Sequence, residues 1–235
     1  MNLGQIRAEL QALADPAIAA HSARFFRTGP GEYGEGDRFL GIRVPRVRAL
    51  AKRCGDLSLA RVAGLLRSRW HEERLLAVII LAGKFDRASA DERGRIAEFY
   101  LAHTDRVNNW DLVDTSAHRI VGPWLQDRPR GLLRDLARSD SLWERRIAVM
   151  ATYHFIRQGD FGDTLDLCAL LLDDDQDLIH KVCGWMLREV AKRDRTVAEA
   201  FLRQHHARLP RTMLRYAIEK FPEPLRRSYL SGTWD

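Results

Sequence analysis

Apolar residues recur along the chain at spacings of three and four, interrupted by short polar turns. No stretch alternates with the period of two that a half-buried strand requires. The pattern predicts helices throughout, and their starts are marked. Ser58 precedes LARVAGLL, and three Ser/Thr-x-x-Glu boxes stand at Ser89–Glu92, Ser141–Glu144 and Thr196–Glu199, each offering an oxygen to the orphan amides of a first turn. The exception is residues 28–38, TGPGEYGEGDR, with four glycines and one proline, which reads as a loop. Glycine amides can approach a phosphate closely, but the two Glu and one Asp of this segment oppose an anion. A flexible connector is the simpler expectation.

The helices repeat. A bulky residue opens a second helix near Trp70, Trp110, Trp143, Leu178 and Leu209, at intervals of 40, 33, 35 and 31 residues. That is the length of a two-helix unit, which cannot bury its apolar face alone and must stack on its neighbours. The expectation is an all-α fold, an α-solenoid of stacked HEAT-like two-helix repeats forming a single domain over residues 1–235. Its second helices, carrying Arg74, Arg119, Arg145, Arg146, Lys181 and Arg188 among other cations, would line a concave basic surface.

Composition narrows the class. Hydrophobic residues make up 46% and charged residues 30%, with Leu and Ala prominent, as in a folded helical protein. A net charge of +6, with Arg well ahead of Lys, favours a polyanionic partner. The three cysteines, Cys54, Cys168 and Cys183, form no paired framework and point to a reducing cytoplasm. There is no CxxC, and the adjacent His205 and His206 are poorly spaced for a metal, so no metal and no cofactor are expected. The first residues lack the apolar core of a secretory signal, and the longest apolar stretch, Leu75–Gly83, is too short for a bilayer. A monomer without a membrane partner is expected.

Helical solenoids most often bind proteins, so a chemical role has to come from particular side chains. Trp110 and Asp114 stand four apart and share a helix face, with Asp111 rotated away and Asn108 and Asn109 placed to cap. Arg146 starts a later helix and Trp185 lies in a later one again. Two indoles form an electron-rich cleft suited to a sugar face or a cation. A carboxylate there can stabilise the oxocarbenium-like state of N-glycosidic cleavage. An alkylated purine is already cationic and leaves readily, so one carboxylate suffices. Taken singly, each residue also has an ordinary reading: packing for the tryptophans, and surface or ion-pair roles for Asp114 and Arg146.

Four ordered segments carry a resemblance: FLGIRVPRVRAL (39–50), NWDLVDTSAHRIVGPWL (109–125), SLWERRIAVMATYHFI (141–156) and IHKVCGWMLREVAKRD (179–194). Together they resemble the AlkD family of DNA alkylation repair proteins over nearly the whole chain. The resemblance implies HEAT-like repeats cradling double-stranded DNA and excision of positively charged N3- and N7-alkylpurines without a base-flipping pocket. By the same resemblance Trp110 and Trp185 are the aromatic walls, Asp114 the catalytic carboxylate and Arg146 the arginine on backbone phosphate. Arg43, Arg145, Lys181 and Arg188 join Arg146 as candidate DNA contacts. Three departures stand out. Arg43 replaces a Gln of some members, Phe25 stands where an aromatic hydroxyl would align, and the glycine-rich loop is absent from some members. A non-catalytic binder of DNA structure and a protein-interaction scaffold are the alternatives.

Overall fold

A computed structural model describes residues 1–233 and divides the chain into two compact units, Met1–Trp124 and the chain from Leu125 onward. The first unit holds α1 (Leu3–Ala12), α2 (Pro16–Phe25), α3 (Val44–Arg53), α4 (Leu59–Leu66), α5 (His71–Arg87), α6 (Ala90–Leu101) and α7 (Trp110–Trp124). The second holds α8 (Gly131–Ala137), α9 (Leu142–Ala151), α10 (Tyr153–Ile156), α11 (Gly162–Leu170), α12 (Asp177–Ala191), α13 (Arg195–His205), α14 (Arg211–Ala217) and α15 (Glu223–Ser231). Among the described residues there is no strand, only an isolated bridge between Arg38 and Trp70.

The expected repeat is present within each unit. The second helices begin at His71, Trp110, Leu142, Asp177 and Arg211, within two residues of the predicted positions. In the first unit α4 packs on α5 and α6 on α7, while α5 lies directly against α7. In the second, α8 packs on α9 and α11 on α12, and α12 lies between α9 and α14. Second helix against second helix is how a two-helix repeat buries an apolar stripe that it cannot cover itself. Helix α5 is the extreme case: Leu75, Leu76, Ala77, Val78, Leu81 and Ala82 are all buried around its circumference.

Two glycines set close approaches. Gly41 has φ +84°, and a Cβ there would lie 2.0 Å from the Asp15 carbonyl oxygen. Gly184 lets α12 meet α14, since its Cβ would stand 2.5 Å from the Met213 carbonyl oxygen and 2.6 Å from the Tyr216 Cβ. Of the predicted caps, Ser89 and Glu92 form the full box. Ser141 accepts from the Glu144 amide, with the Glu144 carboxylate hydrogen-bonded to Ser139 Oγ. The third box is not formed. Helix α13 starts earlier, capped by Asp194 Oδ1 on the Val197 amide at 3.1 Å, and Glu199 pairs with Arg195 instead. A carboxylate is the better acceptor for those amides, and placing it two residues upstream turned Thr196 into a helical residue.

Candidate functional site

Helix α7 places Trp110 at its first position and Asp114 one turn later, both half-buried. Asn109 Oδ1 accepts from the Trp110 amide at 2.8 Å, so the expected cap is an Asn109 cap. Around the indole lies an aromatic group that the spacing of the sequence did not reveal. Phe26 stacks on Trp110 with centroids 5.0 Å apart and planes at 20°, and Phe25 meets it edge-on at 5.8 Å. Phe25 is 58% exposed, a large ring left in solvent beside the indole. Phe26 also stacks on Phe39 at 5.0 Å, and Phe39 on the His71 imidazole at 4.5 Å. The doublet Phe25-Phe26 at the end of α2, just before the glycine-rich loop, was the available signal.

Beneath these rings is a buried charge cluster. His71 stands between two carboxylates, its Nδ1 2.9 Å from Asp37 Oδ2 and its Nε2 2.7 Å from Asp111 Oδ2. Arg74 Nη2 donates to Asp37 Oδ1 at 2.6 Å. Burial alone would lower the His71 pKa, but the Asp111 and Asp37 carboxylates outweigh it and push the group up to about 9. For Asp37, burial would raise the pKa, but His71 and Arg74 hold it below the usual carboxylate range. Arg74, placed by the sequence among the cations of a basic surface, is instead buried and committed to this cluster. Asp111 is not the idle residue that helical rotation suggested, because it faces His71 on α5.

A stability prediction follows from the sign of the His71 shift. A raised folded pKa means stabilisation that is complete below the unfolded value of 6.5 and lost as pH rises through about 9. Urea unfolding between pH 6 and 10 should show a loss on the order of 2–3 kcal/mol over that window. The His71→Gln variant should flatten it, whereas an unchanged profile in that variant would assign the loss elsewhere.

The glycine-rich loop carries hydrogen bonds of its own. Glu32 and Glu35 accept from the Gly29 and Gly31 amides, each at 2.9 Å, and Gly34 is packed so closely that a Cβ would stand 2.3 Å from the Phe26 carbonyl oxygen. The Gly29 and Gly31 amides are therefore taken by the loop's own carboxylates, and the Gly34 amide by the Arg27 carbonyl. Farther on, Glu72 takes three successive backbone amides, Leu40 at 2.8 Å, Gly41 at 2.8 Å and Ile42 at 3.1 Å. This anchors the segment leading to Arg43, which is exposed at the start of α3.

In the second unit, Trp185 lies half-buried on α12, one turn before the buried Glu189. Burial would raise the Glu189 pKa, but Lys192, Arg193 and the Trp185 indole lower it overall. Arg146 is 5% exposed, and its Nη1 donates to the Leu178 carbonyl at 2.8 Å, where α12 begins. Arg145 donates to Asp174 at 2.7 Å and to the Ser139 and Asp140 carbonyls. Lys181 pairs with Asp177 at 2.8 Å, and Arg188 pairs with Glu219. A DNA phosphate would have to compete with these partners. No group of metal-ligating side chains occurs among the described residues, and none of their helices is long and apolar enough to cross a membrane.

Comparison with known proteins gives the context. The family model for the DNA alkylation repair enzyme matches residues 6–221. A solved structure described as a predicted DNA alkylation repair enzyme from Enterococcus faecalis is similar at a TM-score of 0.69 and 17% identity, covering 89% of this chain and 97% of that one. No curated protein matches the chain.

Proposed function

The chain belongs to the DNA alkylation repair enzyme family, and from that premise we propose that it is a monofunctional, AlkD-type DNA glycosylase releasing cationic N3- and N7-alkylpurines from double-stranded DNA. The observation that carries the reading is the pairing on α7. The Asp114 carboxylate follows the Trp110 indole by one helical turn, and Trp110 itself sits in a partly exposed aromatic group with Phe25 and Phe26. Rings of this kind suit the apolar face of a deoxyribose and stabilise an adjacent cation.

In this mechanism the bond from sugar carbon to purine nitrogen breaks as positive charge grows on the sugar. Asp114 stabilises that charge and helps place the attacking water. The alkylated base departs as a neutral purine, so no general acid is needed. Trp185, half-buried on α12, is a further aromatic candidate for DNA contact. Arg146, 5% exposed and bonded to the Leu178 carbonyl, would serve backbone phosphate only by giving up its present partners. Arg43, exposed at the start of α3, is a further phosphate contact. Arg145, Lys181 and Arg188 would serve DNA only by exchanging their present carboxylate partners for phosphates. No cofactor enters the scheme.

The test is release of 7-methylguanine from alkylated duplex DNA by the wild-type protein, run beside a binding titration at 50 and 200 mM salt. Binding should weaken by at least about tenfold over that range, as counterion release requires. Free base should accumulate with time. Salt-sensitive binding without release would support a non-catalytic DNA binder, and no binding would support a protein scaffold.

A further inference from the structure

We propose that Asp37, at the end of the glycine-rich loop, is a positioning residue that acts through His71 and Asp111 to fix the first turn of α7 and with it the orientation of Trp110. Its effect on catalysis rests on the glycosylase reading, whereas the coupling from loop to indole does not.

Two separate connections run from His71 to that turn. One is polar. Asp37 Oδ2 lies 2.9 Å from His71 Nδ1, and His71 Nε2 lies 2.7 Å from Asp111 Oδ2, the residue next to Trp110. Asn109 closes a branch of the same network, its Nδ2 3.4 Å from Asp37 Oδ2 and its Oδ1 capping the Trp110 amide at 2.8 Å. The other connection is a ring stack from His71 through Phe39 and Phe26 to Trp110, with centroids 4.5, 5.0 and 5.0 Å apart. The side chains of His71 and Asp37 are 2% and 4% exposed and that of Asp111 is 14% exposed, so water does not replace a lost bond readily.

The arrangement works in one charge state. An imidazole has two ring nitrogens, and both must carry protons to donate to Asp37 and Asp111 together. Loss of one proton leaves a lone pair against a carboxylate, and either the loop or α7 loses its hold. The charged groups facing His71 are Asp37 from the loop and Asp111 from α7. Arg74, on α5 itself, is bound to Asp37. Glu72, its neighbour in sequence, is engaged by the Leu40, Gly41 and Ile42 amides. Asp37 is thus the more remote half of the relay, with no hydrogen bond to Trp110 or Asp111, which separates its influence from direct contact with substrate.

The experiment follows the Trp110 indole N–H by heteronuclear NMR in the full chain, assigned by its absence in Trp110→Phe. In the wild-type protein the resonance should move in a single step above neutral pH, together with the His71 ring signals. In Asp37→Asn the step should shift to lower pH by about one unit or more, because one of the two carboxylates holding the second proton is gone. Single-turnover base release at pH 8 should fall about ten- to a hundredfold with DNA affinity within about twofold, the pattern of a misplaced rather than a missing group. A Trp110 resonance that ignores the His71 titration in the wild type overturns the coupling even if Asp37→Asn does not fold. An Asp37→Asn protein with wild-type titration and rate overturns it as well. If the wild type releases no base, the glycosylase reading fails, and the indole titration still decides the relay.

Discussion

Asp114→Asn is expected to lower the single-turnover rate of 7-methylguanine release by about 10²–10³-fold, with folding and DNA affinity close to wild type. The substitution keeps size and hydrogen-bonding capacity and removes only the charge. In the proposed mechanism that charge matters most in the transition state, where the sugar becomes cationic, and little in the ground state. The loss should therefore appear in the rate constant and not in the dissociation constant. A few kcal/mol is what one preorganised charge contributes at a developing ion. Binding could even tighten slightly, because a carboxylate close to phosphates opposes association. The measurement is release of radiolabelled base under enzyme excess, with circular dichroism melts run in parallel. A variant that folds, binds and excises at the wild-type rate would refute Asp114 as the carboxylate of the reaction.

The largest expected effect on stability belongs to Gly41→Ala, with Gly31→Ala as its partner experiment. Both glycines have positive φ, +84° and +76°, so both substitutions carry the strain of a left-handed backbone. They differ in space. Nothing lies within 4 Å of a Cβ at position 31, while at position 41 it meets the Asp15 carbonyl oxygen at 2.0 Å and the Ala19 amide at 2.6 Å. Both of those atoms are backbone and cannot step aside as a side-chain tip would. Gly31→Ala should cost about 1 kcal/mol from strain alone. Gly41→Ala should cost roughly 3–5 kcal/mol as strain and overpacking add. Chemical denaturation of both variants checks the difference, and equal losses would show that strain alone governs position 41.

The repeat was legible because it rests on local chemistry. Helix-period apolar residues and a bulky residue near each second-helix start are written in the chain; the start at Trp110 fell where spacing placed it, and that at Leu142 one residue before the expected Trp143. The candidate pair Trp110 and Asp114 was visible for the same reason, both residues lying on one helix. The relay was not visible, since Asp37, His71 and Asp111 are separated by 34 and 40 residues and meet only when α5 packs on α7. The rotation that sets Asp111 apart from Trp110 on α7 is the rotation that aims it at α5. Arg74 was misjudged by the same route. A cation in a row of cations reads as a surface residue until a buried carboxylate from a loop is found against it. In the glycine-rich loop, composition suggested a loose connector, and the sequence did not show that the Gly29 and Gly31 amides donate to Glu32 and Glu35 within it.

Glu72 has a consequence for self-association. A run of irregular chain with several unpaired amides in a row is a template on which a second molecule can add a strand. By closing the Leu40, Gly41 and Ile42 amides with one internal carboxylate, the protein leaves no such row there. Leu40 and Ile42 are themselves buried, at 5% and 7% exposure, so the carboxylate satisfies amides that water could not reach.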